Sequence, residues 1–157
     1  LKGIKNSTII DDTYNASPAS THLAIETVAG LSGPRKIAVL GDMLELGRYT
    51  IEAHEEAGNF LKNDFDILAT VGSRAKFIAE SAANQMPVEN IHKFETSDEA
   101  KLKVKELVKE GDLILVKGSQ GMRMEKIVEE IMAEPEKKKE LLVRQSKKWS
   151  RIASHKM

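Results

Sequence analysis

Short apolar runs, each followed by a polar or glycine-bearing loop and then by residues in helical periodicity, recur five times along the chain. That alternation constrains the fold more than any other feature. The runs lie at residues 8–10, 36–40, 66–71, 90–94 and 112–116. Several are apolar on both faces, as strands buried on both sides of a parallel sheet are. Between them come helical patterns. Ser17 can cap and Pro18 can open the first helix, which carries Ala19, Leu23, Ala24, Val28 and Leu31 as its predicted inner face. The second, near residues 50–61, presents Ala53, Ala57, Phe60 and Leu61. The third, near 74–83, presents Ala75, Ile78, Ala79 and Ala82. Thr96 and Glu99 have capping-box spacing and open the fourth, which Gly111 stops. The last puts Met124, Ile127, Val128, Ile131 and Met132 on one side. Strands alternating with helices at this spacing predict an α/β fold: a Rossmann-like, mostly parallel sheet of five to six strands with helices on both faces.

At 157 residues the chain suits one domain with a full core. Residues 1–134 are expected to form it, and 135–157, where the pattern becomes rich in Lys and Glu, to be a charged helical or disordered extension. No apolar run is long enough to span a bilayer, and the first residues lack the form of a signal peptide. Acidic and basic residues balance at 24 each, so no global field favours nucleic acid or an anionic membrane. There are no cysteines, which excludes disulfides and thiolate metal sites and fits a cytoplasmic protein. A first strand this close to a non-Met start suggests a piece of a longer protein.

Ligands in open α/β sheets sit beyond the carboxyl ends of strands, so the loops there carry the functional argument. The first reads DDTYNASP, residues 11–18. Asp, Asn and Ser favour turns for local reasons, yet a Tyr between acids and an Asn also suits a nucleoside: a carboxylate can accept from a ribose hydroxyl, and an aromatic or Pro can lie on a base. The second, GDMLELG at 41–47, reads equally as a loop approaching a ligand or as a strand-to-helix connection with solvated Asp42 and Glu45. His54, one turn into the next helix, could face it, although a lone helical His is more often structural, and Gly58 stands where a zinc motif needs a second His. The loop Gly72-Ser73-Arg74 reads as an ordinary turn. The last, KGSQG at 117–121, sets a Lys before a helix start where anions are favoured.

Neither Gly-x-x-x-x-Gly-Lys-Ser/Thr nor Gly-x-Gly-x-x-Gly occurs, so the chain has no phosphate-binding loop of its own. An acidic pair after the first strand and a Lys after the last also describe a phosphoacceptor receiver. The third strand ends Thr70-Val71-Gly72 without the required Asp, which argues against that reading.

Taken together, residues 11–18, 41–47 with His54, Gly111-Asp112, 116–119 and Met124-Glu125 resemble the C-terminal domain of a Mur ligase over residues 1–133. The resemblance implies a part of a cytoplasmic bacterial ligase of peptidoglycan synthesis, of the kind that adds D-alanyl-D-alanine to UDP-N-acetylmuramoyl-tripeptide. ATP would activate a carboxylate as an acyl phosphate, which the amine then attacks. It implies Asp12, Tyr14, Asn15 and Pro18 on the ribose and adenine side, and Asp42, Glu45, His54, Lys117 and Ser119 as residues of the substrate cleft. It also implies that the partners are the central and N-terminal domains of the same protein, and that the magnesium ligands and phosphate-binding loop belong to the central domain, leaving this chain alone catalytically silent. Ser17 stands where Asn is common in the pattern, and Gln120 where Arg is common. Alternative readings are a stand-alone nucleotide-binding or regulatory module, and another Mur or folylpolyglutamate-type ligase; a phosphate-binding loop upstream of Leu1 would separate the ligases from the module.

Overall fold

A computed structural model of the chain describes residues 1–33 and 35–142. The five apolar runs form strands β1 (Thr8–Asp12), β2 (Lys36–Gly41), β3 (Ile67–Val71), β4 (Ile91–Phe94) and β5 (Leu113–Lys117). They make one fully parallel sheet in the order β1-β5-β2-β3-β4. The helices between and after them are α1 (Pro18–Ala29), α2 (Thr50–Phe60), α3 (Lys76–Ala82), α4 (Ser97–Leu107), α5 (Glu125–Ile131) and the single turn α6 (Lys138–Leu141).

Two apolar layers hold these helices to the sheet. Ile25 and Val28 of α1, Ala53 and Ala57 of α2, and Ile78 and Ala82 of α3 pack on Ala38, Leu40, Leu68 and Leu115. On the other face, Ala100 and Val104 of α4 and Ile127, Val128 and Ile131 of α5 pack on Val39, Ala69, Val71, Ile114 and Val116. Adjacent residues of each strand thus enter different layers, which is why these strands are apolar throughout. The α1 connection runs from β1 to β2 across β5, and α4 brings the chain back over the opposite face, as right-handed parallel crossovers require.

Two predicted features differ. Thr21, Ile25 and Val28 form the buried side of α1, whereas Leu23 is 65% exposed and Leu31 is exposed too. Apolar residues surround this helix on nearly all sides, so periodicity could not single out the packed stripe. Secondly, the KGSQG loop does not run straight into a helix: a 3-10 turn, Gln120–Met122, and the left-handed Arg123 (φ 53°) intervene before α5. Arg123 and Glu125 form a buried ion pair there.

Small residues set the α2–α3 spacing. A Cβ on Gly58 would stand 2.4 Å from the Ile78 carbonyl and 2.8 Å from Ser81 Cβ, so the helices meet at van der Waals contact only with glycine there. At the amino ends of the strands, Arg35 grips Asp112 through two hydrogen bonds of 3.0 Å, and Asp112 also accepts from the Lys109 N–H at 2.7 Å. The Gly111-Asp112 motif therefore braces the sheet end opposite the loops considered below. Beyond α5, Leu142 is buried in the α4–α5 layer and Lys138 bonds Glu129 at 2.9 Å. The rest of the expected extension, from residue 143, lies outside the described residues.

Candidate functional site

The last strand of the chain is central in space. Helices that follow β5 and its neighbours β1 and β2 leave toward opposite faces, α5 to one and α1 and α2 to the other. Divergence of that kind opens a crevice at the carboxyl ends of the strands. Loops 12–17, 41–47 and 117–121 meet there, and they are joined by named hydrogen bonds.

Lys117 ends β5 opposite Asp12 in register, and only 2% of its surface is exposed. Its Nζ donates to Asp12 Oδ2 at 2.7 Å and to the Asn15 carbonyl at 2.9 Å. Two residues on, the Ser119 hydroxyl accepts from the Leu44 N–H at 3.0 Å, and the Ser119 N–H donates to the Asp42 carbonyl at 3.0 Å. Lys117 therefore ties down the first loop and Ser119 the second.

Asp42 turns inward. With 2% of its surface exposed, its carboxylate accepts from the Ala75 N–H at 2.7 Å, the Arg74 N–H at 3.0 Å and Arg74 Nη1 at 3.2 Å. These are free donors at the turn leading into α3. Gly72, at φ +114°, is required beside it, since a Cβ would fall 2.3 Å from Asp42 Oδ1. His54 is wholly buried, and both ring nitrogens are occupied: Nε2 accepts from the Met43 N–H at 3.0 Å, and Nδ1 lies 2.6 Å from the Thr50 carbonyl. An amide N–H only donates and a carbonyl only accepts, so the ring is neutral and protonated on Nδ1. Burial holds its pKa below the ordinary value; the Thr50 carbonyl and Asp42 oppose that shift in part. Asp42 and His54 thus shape the crevice from behind rather than line it.

Glu45 does the opposite. It is exposed, in left-handed backbone at φ 64°, and its carboxylate has no partner among the described residues. The loop, which His54 and Ser119 anchor just before it at Met43 and Leu44, presents this carboxylate to solvent.

An open groove of about 420 Å³ runs from the first loop along α1. Ile10, Leu23, Ala24 and Val28 give it an apolar floor, and Asp11, Asp12, Tyr14, Asn15, Ser20 and Lys117 its polar rim. Asn15 is exposed on this rim and Tyr14 is 45% exposed, whereas Pro18, exposed at the start of α1, does not line the groove. Ser17 accepts from the Ser20 N–H at 3.1 Å while its own N–H donates to Ser20 Oγ at 2.9 Å. This reciprocal cap fixes the start of α1 and hence the groove wall. Burial raises the pKa of Asp11, with the Thr13 hydroxyl, donating at 2.7 Å, pulling it back. Sequence reasoning missed Ser20, Leu23, Ala24 and Thr27 as groove residues. Periodicity predicts Leu23 on the packed face of α1, so no signal in the sequence singles these residues out. Among the described residues no three His, Asp or Glu side chains gather as a metal site, and no helix is long and apolar enough to cross a membrane.

A parallel α/β domain with its polar loops gathered at the β1–β5–β2 crevice has the doubly wound architecture whose ligand sites lie beyond the carboxyl ends of the strands. The Mur ligase glutamate ligase domain profile matches residues 1–120, and the chain belongs to that family. Its relatives include UDP-N-acetylmuramoyl-tripeptide--D-alanyl-D-alanine ligases: that of Bacillus subtilis is 39% identical over 137 residues, covering 86% of this chain and 30% of the relative. The Buchnera aphidicola (subsp. Baizongia pistaciae) enzyme is 38% identical, covering 83% of this chain and 27% of its own length. Among solved structures, the MurF ligase of Thermotoga maritima in complex with ADP superposes with a TM-score of 0.68 at 33% identity, over 85% of this chain and 30% of that one. The chain therefore spans under a third of its relatives' length, and the match is to their C-terminal part.

Proposed function

We propose that this chain is the C-terminal domain of an ATP-dependent carbon–nitrogen ligase of bacterial peptidoglycan synthesis, acting in the cytoplasm to join D-alanyl-D-alanine to UDP-N-acetylmuramoyl-tripeptide. The supporting observation is the stitched crevice: the motif loops that the family resemblance singles out converge at one end of the sheet. The first-loop groove fits the nucleoside end of ATP. Its apolar floor suits a base, Asp12, Tyr14 and Asn15 stand at its rim, and Pro18 opens the helix that forms its wall. When bound, ATP supplies the phosphoryl group that turns the tripeptide carboxylate into an acyl phosphate, which the dipeptide amine attacks. Residues of this chain do no bond-making in that scheme. They receive the nucleoside, and the exposed Glu45 carboxylate, held by a loop fixed through Ser119 and His54, offers a charge partner for an incoming ammonium. The phosphate-binding loop and the magnesium ligands are assigned to the central domain, and UDP to the N-terminal one.

Steady-state kinetics of the whole ligase test this. Asp12→Ala is expected to raise the KM for ATP more than that for D-alanyl-D-alanine; the reverse ranking would overturn the nucleoside assignment. Glu45→Gln is expected to act on the dipeptide KM instead. The isolated chain should release no ADP from ATP in the presence of both substrates.

A further inference from the structure

We infer that Lys117 is a positioning residue for the nucleoside half of the site and not a phosphate contact, so that the groove beside it takes an uncharged, hydroxyl-bearing ligand portion. The inference rests on the nucleotide reading above and assigns Lys117 a place within it.

Three observations carry it. The first is what the ammonium already does. Nearly all of Lys117 is buried, and two of its three N–H donors are spent within this chain, on Asp12 Oδ2 and on the Asn15 carbonyl. These contacts span from the last strand to the first loop, so the ammonium fixes where Asp12 and the loop backbone stand. The second is the state of Asp12. Its side chain is 41% exposed, and Oδ1 accepts no hydrogen bond from the described residues, while Oδ2 is held by Lys117. A carboxylate clamped through one oxygen offers the other as a fixed acceptor, which suits a hydroxyl donor. The third is charge. Asp11, Asp12 and Lys117 are the carboxylate and ammonium groups of the groove lining among the described residues, and with both carboxylates ionised they leave it with one net negative charge. A phosphate entering would meet two carboxylates before a buried and already neutralised ammonium. A ribose or similar diol meets an acceptor.

The apolar floor commits the occupant further. Leu23, exposed on α1, and Ala24 and Val28 offer a face without hydrogen-bonding demands, adjacent to the hydroxyl-binding rim. A flat base joined to a diol satisfies both, and adenosine is the matching probe.

NMR titration of the isotopically labelled chain with adenosine and, separately, with tripolyphosphate tests the inference. Adenosine should shift the amides of residues 12–16 and of Ser20 and Ala24, while tripolyphosphate leaves these and the Lys117 side-chain signals in place. Lys117→Met should weaken adenosine binding roughly tenfold, the scale of one charge-assisted hydrogen bond to a ligand losing its fixed geometry. Tripolyphosphate shifting Lys117, or Lys117→Met leaving the adenosine Kd unchanged, would overturn the positioning role while leaving the nucleoside reading intact. Failure of adenosine to shift the wild-type loop would overturn the nucleoside reading itself and this proposal with it. The wild-type tripolyphosphate arm needs no variant, so the phosphate alternative is decided even if Lys117→Met fails to fold.

Discussion

Asp42→Ala separates a carboxylate that builds the crevice from one that works in it. Three hydrogen bonds end on this side chain, two from backbone N–H groups entering α3 and one from Arg74. The Ala75 bond is the shortest, at 2.7 Å, and is buried at both ends. Hydrogen bonds to a charged group are worth about 1.5–3 kcal/mol each, and a buried donor left without a partner costs about 1–3 kcal/mol. The Arg74 guanidinium is half exposed and adds little. Counting chiefly the two backbone bonds, and allowing for some rescue of the more accessible Arg74 N–H by water, the loss should be about 3–4 kcal/mol. That is a large share of the roughly 5–15 kcal/mol that holds a domain folded. With an m-value near 2 kcal/mol/M, the urea midpoint should fall by about 1.5–2 M with the slope unchanged. Asp42→Asn keeps an acceptor oxygen for both amides and should lose about half as much. If Asp42→Ala unfolded within about 0.5 kcal/mol of the parent, the carboxylate would not be bearing the α3 turn, and its burial would have been misjudged as structural.

Other substitutions follow the same logic. Gly58→Ala should destabilise by about 1–3 kcal/mol in denaturant unfolding, because its methyl would press on the Ile78 carbonyl across the α2–α3 contact. His54 is neutral when folded and protonates more readily when unfolded, so the unfolded state binds more protons just below pH 6.5. Its share of stability is therefore complete above that pH and shrinks as pH falls. Asp42 favours and Arg74 opposes protonation of the folded ring, and His92, also shifted downward by burial, adds a slope of the same sign. The difference between parent and His54→Gln urea midpoints, measured from pH 8 to pH 5, should isolate the His54 share. Asp11 behaves oppositely: burial raises its folded pKa, so it costs stability as pH rises from 3.8 through the folded value. Asp11→Asn should be more stable relative to the parent at pH 7 than at pH 3, and an unchanged difference would contradict the assignment.

Strands and loops were legible because each rests on local chemistry. β2, β3 and β5 are apolar on both faces, and Ser17 with Pro18 marks the start of α1 wherever it packs. The inner face of α1 was not legible, since Leu23 and Ile25 are equally apolar and only the position of β5 beneath the helix selects Ile25. Candidate site residues divide the same way. The first loop was recognisable as a polar strand end, whereas the inward turn of Asp42 depends on N–H groups more than thirty residues away. No spacing in the sequence announces that His54 will receive the Met43 amide, or that Arg35 will hold Asp112 at the other end of the sheet.

The strand order has a consequence for how the chain is made. Within the sheet β1 pairs only with β5, about a hundred residues further on, while residues 1 and 2 bridge its outer side, and β5 is also what joins β1 to β2. As the polypeptide emerges from a ribosome, β2, β3 and β4 can align early, but the first strand must wait for the last. Such late, distant closure slows folding, and meanwhile it leaves two strand flanks open to wrong partners. The Asp12–Lys117 bridge forms at that final step, so the loop that receives the nucleoside is set in place only once the whole sheet has closed.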